Sequence, residues 1–288
     1  MAKFFWDLRH GRSHASSETS LPERLCLIGD ALKKQDDFLS RKMNGDEYNF
    51  FLFVEHDKVY TCTPSDKKKI DEKNPDAKFL RVDEPRGLPA YLHILSENRG
   101  GSIMYHGPGQ IVCYMILCME DLGIKGPHHL ATLIDVSIKE FLKEFGIVSY
   151  TTSELCKISD PDIEHQLISR NLISNDNDGN RKMTMSAQGV WVLNDANQAL
   201  KIASRGIRLV SQHCPDGTVK HFNFTKYGFS INISTDLTFF DYIYPCGEDI
   251  QMTSVKELTG QEIPLHTAIP RLAKITIKNF ENAASAAN

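Results

Sequence analysis

The sequence predicts an α+β fold, a mixed, mostly antiparallel sheet packed by helices. Three observations carry that expectation. Between His129 and Phe145 the apolar residues Leu130, Leu133, Ile134, Ile138, Phe141, Leu142 and Phe145 recur with a 3.6-residue period, and Gly146 follows as a stop. Three strand-like runs, residues 187–193, 199–211 and 218–234, then follow one another across short connections. No internal repeat and no break in composition divides the 288 residues. A single domain over 1–288 is therefore expected, with surface insertions near 62–90 and 156–186.

The elements follow in chain order. Phe4-Phe5-Trp6 before Asp7-Leu8 reads as a first strand, in preference to the transit peptide that Lys3, Arg9, Arg12 and nearby serines also resemble. Ser20-Leu-Pro-Glu23 is a capping box that opens a helix running to about Lys42 and stopping at Asn44-Gly45. Residues 48–61, aromatic and β-branched, predict one or two strands. Residues 62–90 are charged and proline-bearing, as an exposed connection would be. The apolar run 111–119 predicts another strand. Residues 156–186 are polar around an Asn-Asp-Asn-Asp-Gly centre, the composition of a surface insertion. A short helix at 254–258 and a terminal helix from about His266 close the chain.

Composition removes several function classes. A net charge of −4 gives no basic face for nucleic acid or an anionic membrane. The longest apolar run is half the length needed to cross a bilayer. Seven irregularly spaced cysteines without a C-x-x-C pair fit neither a disulfide framework nor a zinc site. No metal and no cofactor is expected, and a reducing, cytoplasmic setting is, with an organelle matrix left open.

The densest signal lies at Arg99-Gly-Gly-Ser-Ile-Met-Tyr-His-Gly-Pro-Gly-Gln110. Four glycines and a proline around an arginine and a histidine describe a wall whose peptide groups approach a ligand closely. It matches neither G-x-G-x-x-G nor the P-loop. Cys246, held between Pro245 and Gly247 and followed by the potential helix cap Thr253-Ser254, is a candidate exposed nucleophile; a buried, inert thiol is the alternative. Lys201 falls on a strand with Ala203 on its face and Leu200 and Ile202 on the other. In a cleft its ammonium would lose charge to desolvation and serve as a base; otherwise it reaches solvent. Spacing alone does not pair Cys246 with Lys201. Glu120-Asp121, as strand neighbours, would face opposite ways and are set aside.

Together these segments resemble the lipoyl(octanoyl) transferases of lipoate biosynthesis. Arg99 to Gln110 fits that family's Arg-Gly-Gly-x-x-Thr-Tyr-His-Gly-Pro-Gly-Gln, with Met104 in the threonine place. Lys201 to Gly206, preceded by Gly189-Val-Trp-Val192, is similar to its Lys-Ile-Ala-x-x-Gly segment. Gly228-Phe-Ser-Ile-Asn-Ile233 with Asp236-Leu237 is similar to its third signature, and Pro245-Cys246-Gly247 with Thr253-Ser254 to its fourth.

The resemblance implies the fold of the biotin and lipoate protein ligases. It also implies transfer of an octanoyl group from octanoyl-acyl carrier protein to a lysine of lipoyl domains, those of 2-oxoacid dehydrogenase E2 subunits and of glycine cleavage H protein, by a monomer. Carried over by position, Cys246 would be the acyl-thioester nucleophile, and Lys201 would lower its pKa and shuttle protons. The substrate pocket would be Arg99, Gly100, Gly101, Ser102, Ile103, Met104, Tyr105 and His106 with Ser204, Arg205, Gly206, Gly228, Phe229 and Ser230. The chain departs from the pattern at Tyr227, usually histidine, and at Arg205, usually apolar. Two rivals remain on the same fold. An ATP-dependent lipoate–protein ligase would carry His-Asp-x-Gly-Asn where this chain has His106 to Gln110 and would need no nucleophilic cysteine. A non-catalytic binder would lack the reactive pair.

Overall fold

The computed structural model describes residues 3–9, 25–72, 94–96, 99, 101–175, 181–184, 188–213 and 221–287. Its centre is a seven-stranded sheet of β1 (Lys3–Arg9), β2 (Tyr48–Val54), β6 (Gln110–Ile116), β12 (His221–Asn232), β11 (Ala199–His213), β10 (Gly189–Leu193) and β7 (Tyr150–Thr151), in that spatial order. Only β1 and β2 run parallel; every other pair is antiparallel. A smaller sheet orders β4 (Ile94–Ser96), β3 (Val59–Cys62) and β5 (Met104–His106), with β3–β4 parallel and β3–β5 antiparallel. The mixed, mostly antiparallel α+β architecture is the one expected.

Both faces of the large sheet are covered, which is why its strands read as unbroken apolar runs rather than alternating ones. On one face α3 (Pro127–Lys143) and α7 (Leu265–Ala286) bury Leu130, Ile134, Ile138, Phe141, Leu272 and Phe280 against Phe51, Cys113, Ile202 and Phe229. On the other, α1 (Ile28–Met43) lays Ala31 and Phe38 on Phe50, Leu52, Val112 and Tyr114. The rings of Phe38 and Phe50 stack 4.3 Å apart. A third cluster joins the small sheet to Trp191 and to the segment 237–250.

Several expectations shift. The helix ending at Asn44-Gly45 begins at Ile28, and the capping box at 20–23 lies outside the described residues. The strand expected to run to Met119 stops at Ile116, where the Thr225 hydroxyl accepts from the Leu117 N–H. Glu120 and Asp121 therefore sit on a turn, not a strand, bonding Asn223 and Lys42. The stretch 62–90 contains α2 (Pro64–Asp71), capped by the Thr63 hydroxyl, and its remainder is not described. After the one-turn α4 (Thr152–Leu155), the stretch 156–186 carries α5 (Pro161–Ser169) and the hairpin β8 (Ile173–Asn175)–β9 (Arg181–Met183); polar composition hid the last two.

Candidate active site

Four segments far apart in sequence meet at one narrow slot of about 40 Å³, bordered by Arg99, Gly101, Met104, His106, Ser204, Gly206, Gly228, Ser230 and Cys246 among others. Lys201 arrives on β11, and a bulge decides which way it points. The β10–β11 register slips between Val190, opposite Ala203, and Trp191, opposite Lys201, leaving Ile202 as the extra residue. A bulge of this kind re-aims a side chain. Ile202 and Ala203 consequently both pack into the α3–α7 core, and Lys201 turns to the opposite face. Strict alternation, which would have put Lys201 and Ala203 together, is corrected by that one slip.

Cys246 arrives on a single 3₁₀ turn, Pro245–Gly247, with φ 58° and ψ 16°. This left-handed conformation is costly for a side chain bearing Cβ and concentrates at functional sites. The turn is held by the Cys246 N–H donating to the Ile103 carbonyl at 2.8 Å, which ties it to the start of β5. The chain after it returns alongside β11: Lys201 N–H donates to Gln251 O and Thr253 N–H to Lys201 O. That loop carries the sulfur to Lys201.

Lys201 Nζ lies 3.9 Å from Cys246 Sγ, and the Met104 thioether lies 3.5 Å from the same sulfur. The Lys201 ammonium also sits 5.6 Å from the centre of the Trp191 ring. Lys201 has no solvent exposure, and burial pushes its pKa down; the Cys246 sulfur and the Asp135 carboxylate pull it back up, while Arg205 adds to the lowering. Beside a thiol, a buried lysine of this kind can act as its proton partner. Cys246 itself is 7% exposed, not the open thiol expected, and the helix after it, α6 (Val255–Thr259), is capped by Ser254.

The glycine-rich wall is built by close approach. Gly109 has φ +82°, and a Cβ there would lie 2.5 Å from the Ser234 carbonyl carbon. Its N–H donates to Glu55 Oε1 at 2.7 Å. His106 belongs to a polar chain whose direction can be read. The Thr253 carbonyl accepts from Asn232 Nδ2, so Asn232 Oδ1 accepts from Gln110 Nε2, and Gln110 Oε1 accepts from His106 Nδ1–H. Burial, a nearby His56 and Arg99 lower the His106 pKa to about 3. The ring is thus neutral, with Nε2 the acceptor.

The predicted pocket residues separate into groups. Met104, His106, Gly101, Ser204, Gly206, Gly228 and Ser230 border the slot. Arg99 does too, with its guanidinium donating to the Thr61 carbonyl and hydroxyl at 2.8 and 2.7 Å. Ser102 instead donates to Asp66, Ile103 is a core residue, and Tyr105 stacks on Phe239, centroids 4.8 Å apart. Gly100 lies outside the described residues. Arg205 and Phe229 border the slot from strands whose odd-numbered positions here face α3. Phe229 packs in that core, and the Arg205 guanidinium lies 2.7 Å from Asp135 of α3. The charge at this usually apolar place is spent on that pair.

Val112 and Tyr114 also line the slot and escaped the sequence reading, because a strand buried on both faces shows no alternation to mark its lining side; Tyr227, singled out there only as a departure from the family pattern, lines it too. A larger cavity of about 950 Å³ lies against α3 and β7, its lining including Asp135 and Arg205 but neither Cys246 nor Lys201. Among the described residues no group of three or more His, Cys, Asp or Glu side chains is gathered to hold a metal. No helix described is long and apolar enough to cross a membrane.

Residues 29–276 match the lipoyl protein ligase A/B catalytic domain. An octanoyltransferase of Bacteroides fragilis is 30% identical over 241 residues, covering 83% of this chain and 85% of that one. The octanoyltransferase of Bacteroides thetaiotaomicron is 30% identical over 242 residues, 82% of each. Among solved structures, a putative lipoate protein ligase from Thermoplasma acidophilum with bound lipoic acid superposes with a TM-score of 0.52 at 10% identity, over 99% of this chain and 93% of that one. The fold is accordingly that of the lipoate protein ligases. On a domain match spanning most of its length and relatives at this identity and coverage, the chain belongs to the octanoyltransferase family of the lipoyl protein ligase A/B catalytic domain, a family of acyltransferases.

Proposed function

We propose that the protein transfers an octanoyl group from octanoyl-acyl carrier protein to a lysine of lipoyl domains, through a thioester on Cys246. The observation that carries this reading is the buried Lys201 Nζ at 3.9 Å from Cys246 Sγ. In the first half-reaction neutral Lys201 takes the thiol proton and the Cys246 sulfur attacks the carbonyl carbon of the incoming thioester. The tetrahedral adduct collapses, and the carrier thiolate leaves with the proton held on Lys201. Thioester exchange is nearly isoenergetic, so the acyl group stays reactive. In the second half-reaction the amine of the acceptor lysine attacks the same carbon, Lys201 takes the amine proton, and the Cys246 thiolate departs and receives that proton from Lys201, which restores the starting pair.

The slot supports such a substrate by its mixture of walls. Met104, Val112 and the faces of Tyr114 and Tyr227 offer apolar contact, and the glycines on the adjoining strands leave backbone bare. An ATP-dependent ligase on this fold activates its acid as an adenylate and has no use for a nucleophile paired with a lysine. Incubation of the protein with octanoyl carrier protein and a lipoyl domain, with ATP omitted, discriminates the two. Octanoylation of a single acceptor lysine is expected, and transfer that starts only on adding ATP would contradict the proposal.

A further inference from the structure

Ser204 presents a buried hydroxyl that nothing in the protein binds. The residue is 6% exposed, its Oγ has no hydrogen-bond partner, and it borders the slot that holds Cys246. A buried hydroxyl left unpaired destabilises the fold, and native proteins rarely keep one without a use for it. Its direction follows from the bulge. With Ile202 and Ala203 both on the α3 face, the next residue of β11 joins Lys201 on the slot face. Ser204 pairs across with Ser230 of β12 and stands one step from Gly206, which pairs with Gly228. Two serines and two glycines thus floor the slot beside the lysine, and the Ser204 hydroxyl is left without a partner among them.

We infer that Ser204 is a catalytic residue whose hydroxyl donates a hydrogen bond to the acyl carbonyl oxygen as it becomes an oxyanion, an inference that rests on the acyl-transfer reading. When the Cys246 sulfur bonds to the carbonyl carbon, the π pair moves onto oxygen, and the Ser204 O–H meets that charge without transferring its proton. When the adduct collapses, the pair returns, the C=O re-forms and the carrier thiolate leaves with the proton from Lys201. The same oxygen is charged again when the acceptor amine attacks, so one donor serves both half-reactions. A donor already in place in a dry site gains most from the charge that develops there. The ligand atom it awaits also explains why the hydroxyl has no partner in the free protein.

The test compares Ser204→Thr with Ser204→Val, which share one shape and differ by the hydroxyl, and adds Ser204→Ala. Single-turnover formation of the octanoyl adduct on Cys246 is followed by mass, together with thermal melting of each variant. The expected result is that Ser204→Thr acylates at least tenfold faster than Ser204→Val. Ser204→Ala should be ten- to a hundredfold slower than the parent while melting at the same temperature or higher, since it removes an unpaired polar group. Thr and Val variants acylating at rates within twofold of each other would overturn the inference, as would a slow Ser204→Ala that also melts well below the parent. Should the parent itself form no adduct, the acyl-transfer reading fails, and the hydroxyl's role with it.

Discussion

At the scale of single residues, the site works because burial changes what each group can do. In the proposed acyl transfer Lys201 serves as the base: burial lowers the pKa of its ammonium, and the sulfur beside it partly offsets that lowering. The two histidines near the slot are held neutral by the same physics. His56, fully buried, has its pKa lowered to about 4 by desolvation, its ring spanning from the Cys26 carbonyl to the Tyr114 hydroxyl at 2.9 and 2.8 Å. Such a base binds protons more weakly folded than unfolded, so stability is complete above pH 6.5 and falls as pH drops through the window from 6.5 to about 4. At about 1.4 kcal/mol per unit, His56 costs the fold on the order of 3 kcal/mol across that window. Asp135, pushed up to about 6 by burial, works in the opposite sense and offsets part of the loss. The comparison that isolates His56 is therefore with His56→Gln. Unfolding curves between pH 7 and 4.5 should show the variant losing roughly 2–3 kcal/mol less than the parent, and identical pH slopes would show that His56 is not held neutral.

At the scale of elements, strand register does most of the positioning. The bulge at Ile202 swings Lys201 onto the face shared with Ser204, and no residue type in the sequence announces it. The flat floor of the slot depends on Gly228 of β12, where a Cβ would lie 2.1 Å from the Cys113 carbonyl oxygen of β6. A contact that short cannot be accommodated without breaking the β6–β12 ladder. Gly228→Ala should accordingly lower stability by roughly 3 kcal/mol, in the range of severe core changes, read from the midpoint of denaturant unfolding. A variant as stable as the parent would mean that the two strands are not so closely set. Elements with a strong period were legible in advance. The α3 helix lies two residues earlier at each end than its apolar stripe from His129 to Phe145 suggests, since a long amphipathic stripe fixes the helix and its buried face better than its ends. Element limits set by tertiary partners were not legible: β6 ends where the Thr225 hydroxyl takes over the next N–H, an acceptor 108 residues away.

At the scale of the whole molecule, the fold serves to bring together residues from positions 99 to 246 that share no local signal. From the residues themselves, cysteine and lysine were each candidates and nothing in their spacing joined them. The four signatures taken together made the pairing an expectation, and the topology explains it: the loop after Cys246 runs beside β11 and hydrogen-bonds both sides of Lys201. What remained hidden was the destination of Arg205, whose partner on α3 is set only once the helix docks. The lining contributed by Val112 and Tyr114 was hidden as well, within a run buried on both faces.

The central claim is that a thioester forms on the sulfur at 246 with the amine at 201 as its proton partner. Its most direct measurement is the intact mass of the protein after incubation with octanoyl carrier protein and no acceptor. One octanoyl group per chain on Cys246 is predicted, absent from Cys246→Ser and formed at least a hundredfold more slowly in a folded Lys201→Ala, as loss of a positioned base costs. No adduct on the parent, or an adduct that persists when Cys246 is replaced, would contradict the account.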